Sequence, residues 1–370
     1  MKKHNFTGIL TPGFLLFSFY GFLRYASPVR EAVGESLGLV SRVLIPSLFP
    51  AMVISSLFIA SGAAFRLGKR AEKLMRLLFD LPGEAASPLL LGLIGGYPIG
   101  AKSILSLYAS GGLTSDEAER LLFFSNNAGP AFLLLSVGLT LYSSGEVGFL
   151  LFFSHLLAAF TLAFLSRLIP HPRSHEKRNV PSAPSPSFSA AFTSSVASSA
   201  LSLLNLAAFV VFFSAVICVL RECGLLPRAA MILSRLSGLS RETAEALLSG
   251  LIEMTGGLTR ISAANSGLSE KLILSSFRLG WAGLSVHFQA LSFQGEKPVS
   301  FRFYFIGKLL HGLLSAFYTF LFSRLFPVSV PAAVIFPFSF PSFPSPGTFL
   351  VFSLLCSLVF IFPLVSEKKL

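Results

Sequence analysis

Apolar runs dominate this chain, and they recur at a length suited to helices that cross a bilayer, for which about 20 residues are needed. They fall near 8–23, 40–64, 85–110, 119–142, 147–169, 200–220, 244–264, 270–293, 301–326 and 348–365. The pattern predicts an all-α polytopic membrane protein with about 8–10 hydrophobic segments, not all of which need cross. Two runs are interrupted. Gly92-Leu93-Ile94-Gly95-Gly96-Tyr97-Pro98-Ile99-Gly100-Ala101-Lys102 and Gly250-Leu251-Ile252-Glu253-Met254-Thr255-Gly256-Gly257-Leu258-Thr259-Arg260 put Gly, Pro or Thr, and then a cation, where a lipid-facing helix would carry aliphatic side chains. Breakers and charges at membrane depth are tolerated where the backbone is buried in protein or lines a wet cavity, and paired interrupted segments point to a transporter binding site. Interrupted or re-entrant helices are therefore expected at 85–110 and 244–264. Pro46 and Pro50 should kink the second segment, because each removes a backbone donor and crowds the preceding turn.

Polar punctuation divides the chain. Pro170, Pro172, Pro181, Pro184 and Pro186 stand among Ser, Arg and His, a composition that cannot bury a core and reads as a linker. The expected organisation is an N-terminal span and amphipathic segment (1–39), a first half (40–169), the linker (170–189), a second half (190–326) and a Pro/Phe-rich segment with a C-terminal span (327–370). Lys2-Lys3 before Ile9 to Leu23 resembles a signal peptide, but Tyr25-Ala26-Ser27 is a poor cleavage site, so an uncleaved first span is expected. The halves are related: a shift of 158 residues lays Leu81 to Ile94 on Leu239 to Ile252 with eight of fourteen pairs identical, Glu84 on Glu242 among them, and sets Lys102 opposite Arg260. With a small gap, Asn127-Ala128-Gly129-Pro130 falls on Trp281-Ala282-Gly283-Leu284. Two related halves are thus predicted. They form an inverted repeat if each half crosses an odd number of times and a parallel one if even.

Composition agrees with the pattern. Of 370 residues, 53% are hydrophobic and 12% charged, against roughly 25% charged in soluble domains; mean hydropathy is +0.74. The formal charge of +12 comes from Lys and Arg scattered through short polar gaps. That is the positive-inside pattern of a membrane protein and not a nucleic-acid surface. Cys218, Cys223 and Cys356 lie in or beside apolar runs and read as ordinary buried thiols. No metal site is expected, since His171 and His175 stand in the linker without carboxylates in a fixed geometry. The chain lacks a Gly-x-Ser-x-Gly elbow, a His-Glu-x-x-His helix and a Walker A loop, which argues against an enzyme and against a cofactor.

Candidate chemistry gathers at the interruptions. Gly95, Gly96, Pro98 and Gly100, then Gly129 and Pro130, and in the second half Gly256 and Gly257, are expected to break helices, because Pro lacks a donor and Gly costs about 1 kcal/mol against Ala in a helix interior. Each break frees backbone N–H and C=O groups. Tyr97, Lys102, Asn126 and Asn127 can satisfy them or bind a polar solute, and Thr255, Arg260, His287 and Gln289 do the same in the second half. Glycine alone also serves close helix packing; the amides and cations turn the reading toward a site. Glu253 is either a coupling carboxylate or the ion-pair partner of Arg260, seven residues on. His287 either titrates in the site or packs. Lys102 and Arg260, equivalent in the repeat, are expected to face one central cavity and jointly bind a dicarboxylate; the alternative is that Lys102 snorkels to an interface and Arg260 pairs with Glu253.

Several of these strings together resemble a known family. Pro46-Ser47-Leu48-Phe49-Pro50, Gly95-Gly96-Tyr97-Pro98-Ile99-Gly100-Ala101-Lys102, Asn126-Asn127-Ala128-Gly129-Pro130 and Gly280-Trp281-Ala282-Gly283-Leu284-Ser285-Val286-His287-Phe288-Gln289 are similar to the YlbJ (SpoVV) family of sporulation integral membrane proteins, within the nucleoside-recognition or Gate-domain proteins. The resemblance covers most of 40–312. It departs mildly where the family has Ser-Gly-Tyr-Pro in place of Gly95-Gly96-Tyr97-Pro98. It implies a Gate-like repeat in each half, a place in the outer forespore membrane, and transport of a small organic anion, dipicolinic acid. It also implies kinship with concentrative nucleoside transporters. The expected partners are that anion and the lipid bilayer, with no nucleic acid and with the oligomeric state open. Two rival readings stay open: a non-transporting sporulation membrane scaffold, and a nucleoside-type solute carrier, which would want carboxylates and amides in place of two cations.

Overall fold

A computed structural model of the protein describes residues 6–61, 70–168, 187–296, 298–328 and 330; most of the Pro-rich linker, Cys356 and the apolar run near 348–365 lie outside them. Among the described residues every regular element is a helix. The N-terminal part is α1 (Phe6–Arg24), α2 (Ala26–Leu39) and α3 (Ile45–Ala60), with a π-helical turn, Val40–Leu44, between the last two. The path bends by 55° between Ala26–Leu44 and Leu48–Phe58, around Pro46. α4 (Glu72–Phe79) ends at Asp80 in the left-handed region. Arg120 closes that end by donating to the carbonyls of Phe79 and Asp80 at 2.6 and 3.0 Å, so two of the acceptors that a helix C-terminus leaves free are satisfied.

The rest of the first half is α5 (Ala86–Gly95), α6 (Ile99–Ala109), α7 (Ser115–Ser125), a π-helix (Phe132–Leu141) and α8 (Gly145–Leu165). Beyond the linker come α9 (Phe188–Glu222), α10 (Leu225–Ser237), α11 (Arg241–Ile252), α12 (Met254–Ala263), α13 (Leu268–Trp281), α14 (Gly283–Leu291) and α15 (Arg302–Leu325). Local chemistry sets the starts. Thr114 and Glu117 form a reciprocal capping box on α7, while Ser144, Ser187 and Ser240 cap α8, α9 and α11 through their hydroxyls. Gly238 closes α10 at φ +75°, a conformation that costs glycine nothing.

The apolar runs within the described residues map onto these elements in order, and five of them hold two helical elements each or a helix and its bend. One order recurs in both halves: helix, break, helix, turn, helix, break, helical segment, long helix, as α5 to α8 and again as α11 to α15. Gly145–Leu168, Phe188–Glu222 and Arg302–Leu325 are long and apolar enough to cross a bilayer unaided. α15 ties the halves together. Gly280 of α13 and Gly312 of α15 meet backbone to backbone, and Gly307 lies against the Phe123 carbonyl, approaches that any Cβ would block. The outer faces expose Leu204, Phe212, Leu313, Phe317 and Phe320, as lipid contact allows. The chain is an all-helical, polytopic membrane protein with interrupted helices.

Candidate functional site

Four helix breaks meet in the interior. The first, between α5 and α6, consists of Gly96 at φ +73° and the cis peptide Tyr97-Pro98. A Cβ on Gly96 would overlap the backbone of Gly129, so this tip is seated directly on the second break, Asn126 to Gly129, between α7 and the π-helix. The third is Glu253 alone, extended at φ −131° and ψ 121° between α11 and α12. The fourth, between α13 and α14, is made by Ala282 at φ +73° and Gly283 at φ +79°. Gly283 packs on the carbonyls of Gly250 and Ile252, which seats the fourth break on the third. Tyr97 links the pairs: its hydroxyl donates to the Leu279 carbonyl at 3.0 Å and reaches Met254 Sδ at 3.1 Å.

Breaking a helix frees carbonyls, and in an interior without water each needs a donor. Two buried cations supply them. Arg278, wholly buried, donates to the carbonyls of Ala246, Glu253 and Met254 at 3.2, 3.2 and 3.3 Å. Its guanidinium fills the space beside Gly250 and Gly257 where side chains would otherwise stand. Lys308, 1% exposed, donates to the Asn126 carbonyl at 2.8 Å, with its ammonium 5.5 Å from the centroid of the Tyr97 ring. Asn126 is fixed further by Ala101 N–H on its Oδ1 and by its own amide on the Tyr304 hydroxyl, which also meets His287 Nδ1 at 3.2 Å. Glu253 serves the opposite need. Its carboxylate accepts the N–H groups of Thr255 and Gly256 at 2.7 Å each and so caps α12.

Between the breaks lies a small cavity of about 40 Å³. Tyr97, Glu253, Thr255, Ser285 and Gln289 present polar groups there, against an apolar wall that includes Leu48, Met52, Phe132 and Val210. A second, outer cavity is larger and charged, with Glu31, Glu35, Arg42, Arg221, Glu222 and Arg260 on its walls. Glu253 lines both cavities, at 1% exposure.

Of the residues singled out from the sequence, Tyr97, Thr255, Gln289 and Glu253 line the inner cavity together with Gly95, Gly96 and Gly129. Asn126, Asn127 and His287 lie buried around it. Lys102 and Arg260 do not come together in it: Lys102 is exposed on α6, and Arg260 lines the outer cavity. Among the described residues Glu253 makes no ion pair with Arg260; its oxygens are taken by the α12 cap. The breaks expected at Gly95 to Pro98 and Asn127 to Pro130 are present, with Pro130 opening the helical segment that follows. The break expected at Gly256 and Gly257 is corrected. Both glycines are helical within α12, and the interruption sits three residues earlier, where the Glu253 carboxylate can satisfy the N–H groups of a new helix start. Gly100 likewise belongs to the first turn of α6, where it gives close passage to the Ser125 carbonyl. Arg278 and Lys308 were missed. The available signal was a cation well inside each of two largely apolar runs, 270–293 and 301–326, since such a residue is by default functional or paired.

The fold is similar to that of solved structures. Over 88% of this chain and 86% of the other, it is similar to CNTnw in an outward-facing state, at a TM-score of 0.52 and 16% identity. A substrate-bound, inward-facing CNTnw matches at the same TM-score, with 14% identity over 85% and 86% of the two chains. The protein is thus a membrane protein of transporter-like fold. Residues 41–168 match the profile of the Gate family, described as nucleoside recognition. The chain is also similar to the sporulation integral membrane protein YlbJ of Bacillus subtilis (strain 168), with 27% identity over 345 residues, 87% of this chain and 84% of that protein. These matches bear out the family resemblance read from the motifs.

Proposed function

We propose that the protein is a transporter that binds a small organic solute between the helix breaks, where the inner cavity widens to admit it, and that this solute is an organic anion, with dipicolinate the first candidate and the outer forespore membrane the place of action. The convergence of four helix breaks on one cavity carries the proposal, because freed N–H and C=O groups at membrane depth are the usual material of a transporter site. Tyr97, Thr255, Ser285 and Gln289 orient the solute. Charge acts from behind the wall: Arg278 and Lys308, buried beside the breaks, favour an anion, and the Glu253 carboxylate on the wall opposes one. A second reading, a nucleoside-type carrier, draws on one specific observation: Glu253, Gln289 and Ser285 offer the carboxylate, amide and hydroxyl that a ribose and base would use.

Uptake by proteoliposomes of labelled dipicolinate and of labelled uridine decides between them. The expected result is saturable dipicolinate uptake that falls at least tenfold in Gln289→Ala and is retained in Glu253→Gln. Uridine uptake that is lost in Glu253→Gln would establish the nucleoside reading instead. Folded protein that moves neither solute would leave the scaffold role.

A further inference from the structure

Unwound carbonyls in transporters are general binding points for dissolved coupling cations. In this protein carbonyls at two of the breaks are already occupied by the chain itself. At the break between α7 and the π-helix, the Asn126 carbonyl takes the Lys308 ammonium at 2.8 Å. At the break between α11 and α12, the Glu253 and Met254 carbonyls take the Arg278 guanidinium. Both cations are delivered by helices of the bundle through positions kept open for them. Gly307, next to Lys308, lets α15 close onto Phe123, and Gly250 and Gly257 leave the volume that the guanidinium fills. Neither forms an ion pair among the described residues; the donors of each go to the carbonyls, and the Lys308 amine also faces the Tyr97 ring.

We propose that both helix breaks are held by resident side-chain cations, Lys308 on the Asn126 carbonyl and Arg278 on the Glu253 and Met254 carbonyls, in place of a dissolved alkali ion. The breaks then keep their shape without sodium or potassium, and a further monovalent cation is repelled from the same carbonyls. The inference concerns how the breaks are held and is independent of which solute is carried.

Melting of the purified full chain in detergent tests it without any solute. In sodium, potassium and choline chloride at equal ionic strength the wild type is expected to melt at one temperature. A selective upward shift in sodium or potassium would overturn the proposal. Lys308→Ala is expected to melt lower and to regain part of the loss in methylammonium chloride, whose N–H groups can replace the missing donor, but not in choline chloride, which has none. Lys308→Met, which keeps the stem and fills the space, is expected to show the loss without the recovery. A Lys308→Ala loss that methylammonium does not move assigns the side chain a packing role and overturns the proposal, as does a variant that melts like the wild type. If neither variant can be purified, the wild-type salt series decides by itself.

Discussion

Arg278 shows how much of this interior depends on single atoms. Its guanidinium serves three main-chain carbonyls and sits where a Cβ on Gly250 or on Gly257 would have to be. Gly250→Ala is therefore expected to lower stability by overpacking, by about 1–3 kcal/mol. Arg278→Met should cost more, because each buried acceptor left without a donor loses about 1–3 kcal/mol. The two changes occupy one site, so they should not add. Thermal unfolding of Gly250→Ala, Arg278→Met and the double variant in detergent is expected to show the double losing less than the sum by about 0.5–3 kcal/mol. Additive losses would mean that the glycine and the guanidinium do not share the space.

Among the elements, α15 decides how the halves are joined. It crosses α13 at Gly280 and Gly312 and α7 at Gly307, all with no room for a side chain. Helices in a membrane gain little from burying apolar surface against one another, since lipid is equally apolar, so close backbone packing holds them. Gly307→Ala is expected to disturb this crossing and with it the reach of Lys308 to Asn126. It should lower the melting temperature clearly. Gly34, exposed in α2 with open space where a Cβ would stand, provides the contrast. Gly34→Ala should be neutral or stabilising by about 0.5–1 kcal/mol, because it removes only backbone freedom in a helix. Equal effects of the two substitutions would contradict the packing argument.

At the scale of the whole molecule, the recurring order of elements carries the prediction that 81–102 and 239–260 superpose with opposite orientation in the membrane. The turn between α6 and α7 and the turn between α12 and α13 are the corresponding loops. Ser110 and Asn265 are exposed in them. In a chain whose native cysteines are replaced, Ser110→Cys and Asn265→Cys are expected to react with a membrane-impermeant thiol reagent from opposite sides of sealed vesicles. Labelling from one side would establish a parallel repeat.

Much of this molecule is legible in the order of its residues. Membrane class follows from run lengths, and the breaks at Gly95 to Pro98 and Asn127 to Pro130 follow from residues that cannot continue a helix, because both are set by near neighbours. The relatedness of the halves is written in matched side chains from Leu81/Leu239 to Ile94/Ile252. Which cation does the work is another matter. Lys102 stands beside a break in sequence and is exposed, whereas Lys308, in the middle of an unbroken run, reaches the Asn126 carbonyl from 182 residues away. Hydropathy cannot separate the faces of such a helix, since lipid and protein interior reward the same side chains. The shift of the third break from Gly256-Gly257 to Glu253 has a similar origin: glycine permits a break without requiring one, and the packing of Gly257 against the Arg278 guanidinium keeps it helical. Sequence alone determined the class of the protein, its segments and its Gly/Pro breaks, all local properties of the chain; tertiary structure decided which polar groups meet at those breaks, because their partners come from distant helices brought close by packing.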